Sequence, residues 1–580
     1  MPYFVVDNFA LGIDRRRPRA SGADGSLWDG VNCHLSRGGD IEKRKAFAPW
    51  RTLPANTFGL AGASGALYVF GSVIAPSMPE GVTYQRLIHP DGVTVLSAVN
   101  DVTVFNGKTY VAATFADRLT FHFYDGTIVS DFVYGRVRAD MTNLSGITAH
   151  LVSIITDTRV TCVQTGATTF TVEWNLVNVS FTVSTEAVNG GSVNDQSLTA
   201  VETTPAGVGT KEKWTVTLGG SFDPGDRFSV GIAEGALTTT WYGAKDRPER
   251  AGKILYTHNN KVYQLAGSVL SFSGVGAPTG WNAVTNAGAG SINMANHTSG
   301  SDDLTGIEIF QGSLAVCSRR AVQIWNMNTD PVKDTYLQTL KNTGTQAQQS
   351  VLSFGDVDTF YLDDSGVRSI KARTGTNAGF VSDVGTSVDS YVRNILKTLP
   401  ASVIATAPSC IEPLDGRYML GLGNEIVMVF SYFPSAKISG WTAYKLEFTP
   451  EAFVVLENKV YARAGTTIYL LGGDDGDTYD TCEVIADMPF ITGDKPGTFK
   501  VINGIDIIAS GSWEVTALVD PRNESRIVNY GSLSGITVGD GMSAGGATTA
   551  FVAPKFRHQA AGPASLSKVL IHYEPAEEIA

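Results

Sequence analysis

Apolar and polar residues alternate in short runs along most of the chain, and turn residues separate the runs. This is the period-two pattern of half-buried strands. One phrase recurs: a turn residue, a strand with a hydrophobic or tyrosine face, a second Gly or Asn turn, and another strand. It reads Gly65-Ala66-Leu67-Tyr68-Val69, running through Gly71 to Val73 and Ile74, and returns as Gly107-Lys108-Thr109-Tyr110-Val111 with Leu119 to Tyr124. Asn260-Lys261-Val262-Tyr263, Gly312-Ser313-Leu314-Ala315-Val316 and Asp358-Thr359-Phe360-Tyr361 follow, then Gly416-Arg417-Tyr418-Met419 and Asn458-Lys459-Val460-Tyr461. Each is a hairpin signal.

The phrases begin at positions 65, 107, 260, 312, 358, 416 and 458, so their spacings are 42, 153, 52, 46, 58 and 42. Five of the six lie near the period of about 40–50 residues expected of a propeller blade. The outlier equals one blade plus roughly a hundred residues. From about Gly135 to Trp241 no phrase occurs, and the text turns to Thr/Val alternation such as Thr168-Thr169-Phe170-Thr171-Val172-Glu173-Trp174. The pattern therefore predicts an all-β fold: a β-propeller of six or seven blades (56–134 and 246–485) with an inserted β-sandwich-like domain (135–245). An extended N-terminal arm (1–55) precedes it, and 486–580 form a C-terminal β-domain or the strands that close the ring. A string of unrelated hairpins from several sandwiches is the alternative. One amphipathic helix is expected, capped by Ser387 or Thr386, with Val388, Tyr391, Val392, Ile395 and Leu396 at helical spacing and a stop at Pro400.

Composition narrows the function classes. Gly accounts for 62 of 580 residues, 43% are hydrophobic and only 17% are charged, which argues for packed strands and turns and against disorder. A net charge of -12 disfavours a protein that wraps nucleic acid on a basic stripe. No apolar run reaches the length of about 18 residues that a membrane-spanning helix needs, and the N-terminus lacks the basic start and apolar core of a secretory signal. Cys33, Cys162, Cys317, Cys410 and Cys482 are scattered, which suggests small buried hydrophobes in a reducing compartment.

The sequence offers little catalytic patterning. There is no phosphate-binding GxxxxGK[ST] and no HExxH, and Gly62-Ala63-Ser64-Gly65-Ala66 lacks the final glycine of a nucleophile elbow. The eight histidines are isolated, and His89, within His89-Pro90-Asp91-Gly92, reads as part of a polar turn. No catalytic residue, metal ligand or cofactor is expected. The acidic cluster Asp474, Asp475, Asp477 and Asp480 reads as a solvated inter-strand turn, with a calcium site as the alternative. Between Arg15 and Arg51 there are nine basic and four acidic residues. Arg15, Arg16 and Arg17 suit either phosphate contact or acidic residues of a neighbouring subunit, and the latter is the preferred reading in so acidic a chain.

Three stretches carry a family resemblance: Phe9-Ala10-Leu11-Gly12-Ile13-Asp14-Arg15-Arg16, Gly25-Ser26-Leu27-Trp28-Asp29-Gly30-Val31-Asn32-Cys33-His34, and Gly38-Gly39-Asp40-Ile41-Glu42-Lys43-Arg44. Together they resemble the opening of tail tubular protein B, the nozzle group of short-tailed bacteriophages. Ser350-Val351-Leu352, Phe360-Tyr361-Leu362, Ser365-Gly366-Val367-Arg368-Ser369 and Ser382-Asp383-Val384 resemble that family's middle region. The resemblance implies a structural virion protein, assembled in the bacterial cytoplasm as a six-fold ring of identical chains at the distal end of the tail. Its partners would be a tail adaptor protein, tail fibre or spike proteins, and genomic DNA passing through the channel without sequence-specific binding. Arg15, Arg16, Arg17, Leu27, Trp28, Ile41, Lys43 and Arg44 are then the expected inter-subunit or adaptor contacts. A glycan-binding or glycan-cleaving propeller is the alternative function.

Overall fold

The structure is a computed structural model. It describes residues 2–576 except 75, 90–93, 117, 119, 130–134, 142–148, 154–159, 175–178, 187–195, 205–211, 221–226, 235–250, 282, 284–285, 298–301, 356–357, 373–382, 493–496 and 539–542. The described residues form an all-β fold with seven propeller blades. Blade one holds Phe58–Ala63, Ala66–Gly71 and Val82–Arg86; blade two holds Leu96–Phe105, Lys108–Phe115, Thr120–Tyr124 and Thr127–Ile128. Blade three is Ile254–His258, Lys261–Ala266, Val269–Phe272 and Gly290–Asn293; blade four is Leu304–Phe310, Ser313–Ser318, Ala321–Asn326 and Thr335–Lys341. Blade five has Leu352–Phe354, Asp358–Asp363 and Gly366–Ser369, and blade six Ser409–Glu412, Arg417–Gly421, Ile426–Phe433 and Ile438–Lys445. Blade seven combines Ala452–Leu456, Lys459–Ala464 and Thr467–Leu471 with Phe47–Thr52 from the N-terminal region. The first strand of each blade packs against the first strand of the next, and blade seven returns to blade one.

The recurring phrase marks the first hairpin of each blade. Its turn pairs Ser64-Gly65, Asn106-Gly107, Asn259-Asn260, Gln311-Gly312 and Glu457-Asn458 all have positive φ at both residues. A two-residue hairpin whose twist matches its strands needs that conformation, and Asn and Gly adopt it at low cost. Apolar side chains fill the spaces between blades. Leu67, Val69, Ile468 and Leu470 pack between blades seven and one, and Tyr263, Leu265, Leu314 and Val316 between blades three and four. Each fully buried side chain of this size contributes about 1.5–3 kcal/mol, so these seams hold the ring.

Between blades two and three the chain forms two further four-stranded antiparallel sheets. One contains Gly135–Met141, Ala149–Ser153, Val179–Glu186 and Arg227–Glu234; the other contains Val160–Gln164, Thr169–Trp174, Gln196–Thr204 and Glu212–Gly220. In the second, Phe170, Val172 and Trp174 are buried while the residues between them are half-exposed, the alternation read from the sequence.

One alternative is resolved and three local expectations change. The ring is closed by Phe47–Thr52, and the C-terminal strands Val484–Asp487, Lys500–Leu518, Ile527–Ile536, Ser543–Thr549, Ala553–His558 and Ser565–Pro575 form a β-domain instead. Residues Val73 and Ile74 are exposed rather than paired. Pro76 and Pro79 prevent an immediate hairpin, and Val82–Arg86 returns parallel to Ala66–Gly71. The amphipathic helix spans Asp389–Leu396 and buries Val392 and Leu396, but Val388 stands at its N-cap with no side-chain cap, because Thr386 bonds back to the Asp383 carbonyl. His89 is buried edge-on against Phe115 and Phe121, both at 5.0 Å, because the ring packs against aromatic strands instead of facing solvent.

The expected arm is folded into its own chain. Its strands Tyr3–Val6, Gly12–Ile13, Ser26–Leu27, Asp29–Val31, Cys33–Leu35 and Ile41–Lys43 join blade six and the C-terminal domain in one 16-stranded sheet. Phe9, Ile13, Leu27, Leu35 and Ile41 are fully buried in the core that these units share.

Candidate functional site: the N-terminal seam

The seam is built where the N-terminal segment passes between the outer strand of blade six and the C-terminal domain. Asp29–Val31 pairs with Val484–Asp487, which pairs in turn with Ala553–His558. Ile41 and Glu42 pair with Leu566 and Ser565. Leu27 and Ile41, two of the residues expected to touch a neighbouring subunit, are therefore sealed inside this chain.

The arginines divide by role. The Arg15 guanidinium lies between the rings of Trp28 at 5.0 Å and Tyr391 at 4.8 Å, donates from Nε to the Trp28 carbonyl at 2.9 Å, and pairs with Asp29 at 3.2 Å. Stacking on two aromatic faces is a geometry that the planar guanidinium accepts and an ammonium does not. The Arg15 amide also donates to the Ser387 carbonyl, so this residue clips the segment to the amphipathic helix. Arg16 forms a fork on Asp14 at 2.9 and 2.6 Å. Burial works against the Asp14 charge, but the hydrogen bonds from Arg16 outweigh it and hold the carboxyl below its ordinary range. Arg17 is exposed. Arg16 and Arg17 are thus the two predicted contact residues that the fold leaves open to solvent, whereas Trp28 is half-buried beneath Arg15.

Lys43 and Arg44 are buried. Lys43 donates from Nζ to the carbonyls of Asp480 at 2.6 Å and Ala560 at 2.5 Å, tying blade seven's exit to the C-terminal domain. Arg44 donates to Asn32 Oδ1 at 3.0 Å and pairs with Asp480 at 3.0 Å. The local basic excess has its counter-charge in the acidic turn of the same chain: Lys45 meets Asp477 at 2.8 Å and Trp50 Nε1 donates to Asp474 at 2.9 Å. Asp475 accepts from the Asp477 amide and the Thr478 hydroxyl, which keeps its exposed carboxyl below the ordinary range. The turn is thus a partner of the N-terminal segment.

Sequence reasoning missed three members of the seam. Arg19 is buried, donates to the Met488 carbonyl at 3.2 Å and lies 3.8 Å from Asp487. Asp487 also receives Arg557 at 2.5 Å and Lys555 at 3.7 Å, so one buried carboxylate answers three cations. Asn32, at φ 56°, accepts from Arg44 and from the Lys445 amide and donates to the Glu483 carbonyl. Only Asn32 carried a signal, as an asparagine suited to positive φ between two short strands. Asp29 beside them is pushed above its ordinary range by burial, an effect that Arg15 opposes.

Elsewhere, buried histidines serve packing. His122 donates from Nε2 to the Gly252 carbonyl at 2.8 Å while Nδ1 accepts from Tyr110 at 3.2 Å, an arrangement of the neutral ring. Among the described residues no group of three His, Cys, Asp or Glu side chains gathers as a metal site, and no helix is long and apolar enough to cross a membrane.

No known protein-family profile and no curated protein matches the chain. Among solved structures, the AfRom2 CNH domain is similar at 12% identity over 47% of this chain and 82% of that one, with a TM-score of 0.25. The Neurospora crassa Pan2 WD40 domain is similar at 10% identity over 37% of this chain and 70% of that one, with a TM-score of 0.20. A Chaetomium thermophilum Nup82 NTD–Nup159 TAIL–Nup145N APD complex shows 16% identity over 33% of this chain and 44% of that one, with a TM-score of 0.21. At these scores the likeness adds nothing to the architecture visible in the sheets.

Proposed function

We propose that this chain is a structural subunit of a short phage tail. Its copies form the distal nozzle ring, meet a tail adaptor above and fibre or spike proteins at the side, and enclose the channel through which DNA is retained and then ejected. One observation carries the reading. The three N-terminal stretches that resemble the nozzle family are the stretches that build the seam, with Phe9, Ile13, Leu27, Cys33 and Ile41 fully buried in it. The resemblance thus rests on residues that lock a propeller to a second β-domain, the role a rigid ring subunit requires. The negative chain suits a DNA conduit, since repulsion of phosphates avoids the salt-dependent adhesion of a basic lumen. Closed rings have heterologous contacts between identical copies, and the exposed Arg16 and Arg17 are the remaining basic contact candidates.

The test images the full chain by negative stain, alone and with a portal–adaptor complex of a short-tailed phage. Closed rings on the adaptor's distal face are expected. A chain that stays monomeric beside that complex overturns the proposal.

A further inference from the structure

We propose that the propeller carries a docking pocket for an acidic peptide segment, between the loops of blades four and five and the end of the helix Asp389–Leu396. The pocket has a volume of about 330 Å³ and is open to solvent. Its floor is apolar: Leu362 is fully buried, Leu396 and Ile404 are nearly so, and Leu399 completes it. Its rim is cationic, with Arg319, Arg393 and Lys397.

The charges decide what fits. Asp364, on the same rim, is already held by Arg319 at 3.1 Å and Gln346 at 3.3 Å. Asp363 faces inward and accepts from the amides of Gly344 and Ser365 and from the Ser365 hydroxyl, so its oxygens are occupied. Arg393 uses Nε on the Asp389 carbonyl at 3.2 Å, and neither Arg393 nor Lys397 has a carboxylate partner among the described residues. Two cations beside an apolar floor match a leucine- or phenylalanine-sized side chain next to a carboxylate. An arginine fork takes a carboxylate with two parallel bonds, and the floor desolvates the neighbouring side chain. The open mouth favours a segment of a partner chain over a small molecule, which a site must largely enclose. In a chain of net charge -12, a cationic rim around an apolar floor is a local reversal of charge that selects acidic partners.

A cellulose-bound array of hexapeptides tests it, each with a central Leu or Phe and zero to four Glu residues, probed with the labelled full chain. Acid-rich spots are expected to bind. Peptides from those spots should bind in solution with affinity lowered roughly tenfold or more in the R393A/K397A double variant, the loss expected when bonds to a charged group are removed. Leu399→Gln should weaken the same peptides without changing their charge preference. These three substitutions lie at the surface or pocket edge, and unchanged thermal midpoints confirm intact folding. Binding that ignores Glu content, binding equal in the double variant, or an array with no bound spots overturns the proposal.

Discussion

Gly12 and Trp441 meet backbone to backbone. Gly12 stands at φ +56°, and a Cβ there would lie 2.5 Å from the Trp441 carbonyl oxygen and 2.7 Å from its amide nitrogen. The approach allows the N-terminal segment to pair with the outer strand of blade six. A side chain would force both an unfavourable left-handed conformation and a collision with backbone that cannot rotate away. Gly12→Ala is therefore expected to destabilise the chain by more than the ~1–2 kcal/mol of the conformational term alone. Urea denaturation checks this, and an unchanged midpoint would show that the segment does not seat against Trp441.

Lys43 supplies a second test of the seam. Its buried ammonium satisfies two carbonyls from different units, those of Asp480 and Ala560. Lys43→Met keeps most of the stem but leaves both oxygens without that donor, at about 1–3 kcal/mol for each buried group left unsatisfied. Arg17→Ala, at an exposed position, should stay within about 1 kcal/mol, whereas Arg16→Ala should cost more, because it strips the buried Asp14 carboxylate of its fork. Comparing the three variants by thermal melting separates buried anchoring from surface charge.

The propeller was legible because its hairpins need positive φ, and that need writes Gly and Asn into the text at Gly65, Gly107, Asn260, Gly312 and Asn458. The closing strand was not legible. Ala48 pairs with Leu470 across more than four hundred residues, and no local pattern announces so distant a partner. The basic stretch was visible, but not where it points: charge composition records an excess at Lys43 to Lys45 without revealing that Asp477 and Asp480 fold against it. Arg19 and Asp487 were silent for the same reason, since a buried ion pair is made by the fold and leaves no spacing in the sequence.

Stability should respond to pH through groups of opposite sign. Asp101 accepts from the amides of Val102 and Leu255, joining blades two and three, and burial pushes its carboxyl up to about 7. A carboxyl raised in the folded state contributes most below its unfolded value near 4, and this contribution is lost as pH rises through about 7. Burial pushes His34 and His122 down to about 4, so their contribution is present above the unfolded value of 6.5 and is lost as pH falls toward 4. Asp101→Asn should therefore gain stability relative to the parent chain as pH rises from 4 to 7, whereas His122→Gln should gain relative to it as pH falls across the same range. Denaturation midpoints at several pH values check both slopes, and parallel profiles for parent and variants would refute the assignment.

Ring closure allows packing and surface charge to be weighed against each other. Phe47 is buried, lies 6.0 Å edge-on from Phe448 and 6.4 Å from Phe453, and opens the strand that completes blade seven. Two residues earlier, Lys45 reaches the exposed Asp477. If charge drew the N-terminal segment onto the acidic turn, Lys45→Ala would open the ring and high salt would mimic it. Exposed pairs contribute only about 0–1 kcal/mol, however, and a Debye length near 8 Å at physiological salt screens them further. Removing a buried phenylalanine costs about 3–5 kcal/mol. Phe47→Ala should therefore release the closing strand to limited proteolysis between Arg51 and Phe58 at low and high salt alike, while Lys45→Ala should resist as the parent does. Equal cleavage of the two variants, or protection of Phe47→Ala, would mean that the strand is held by something other than this aromatic packing.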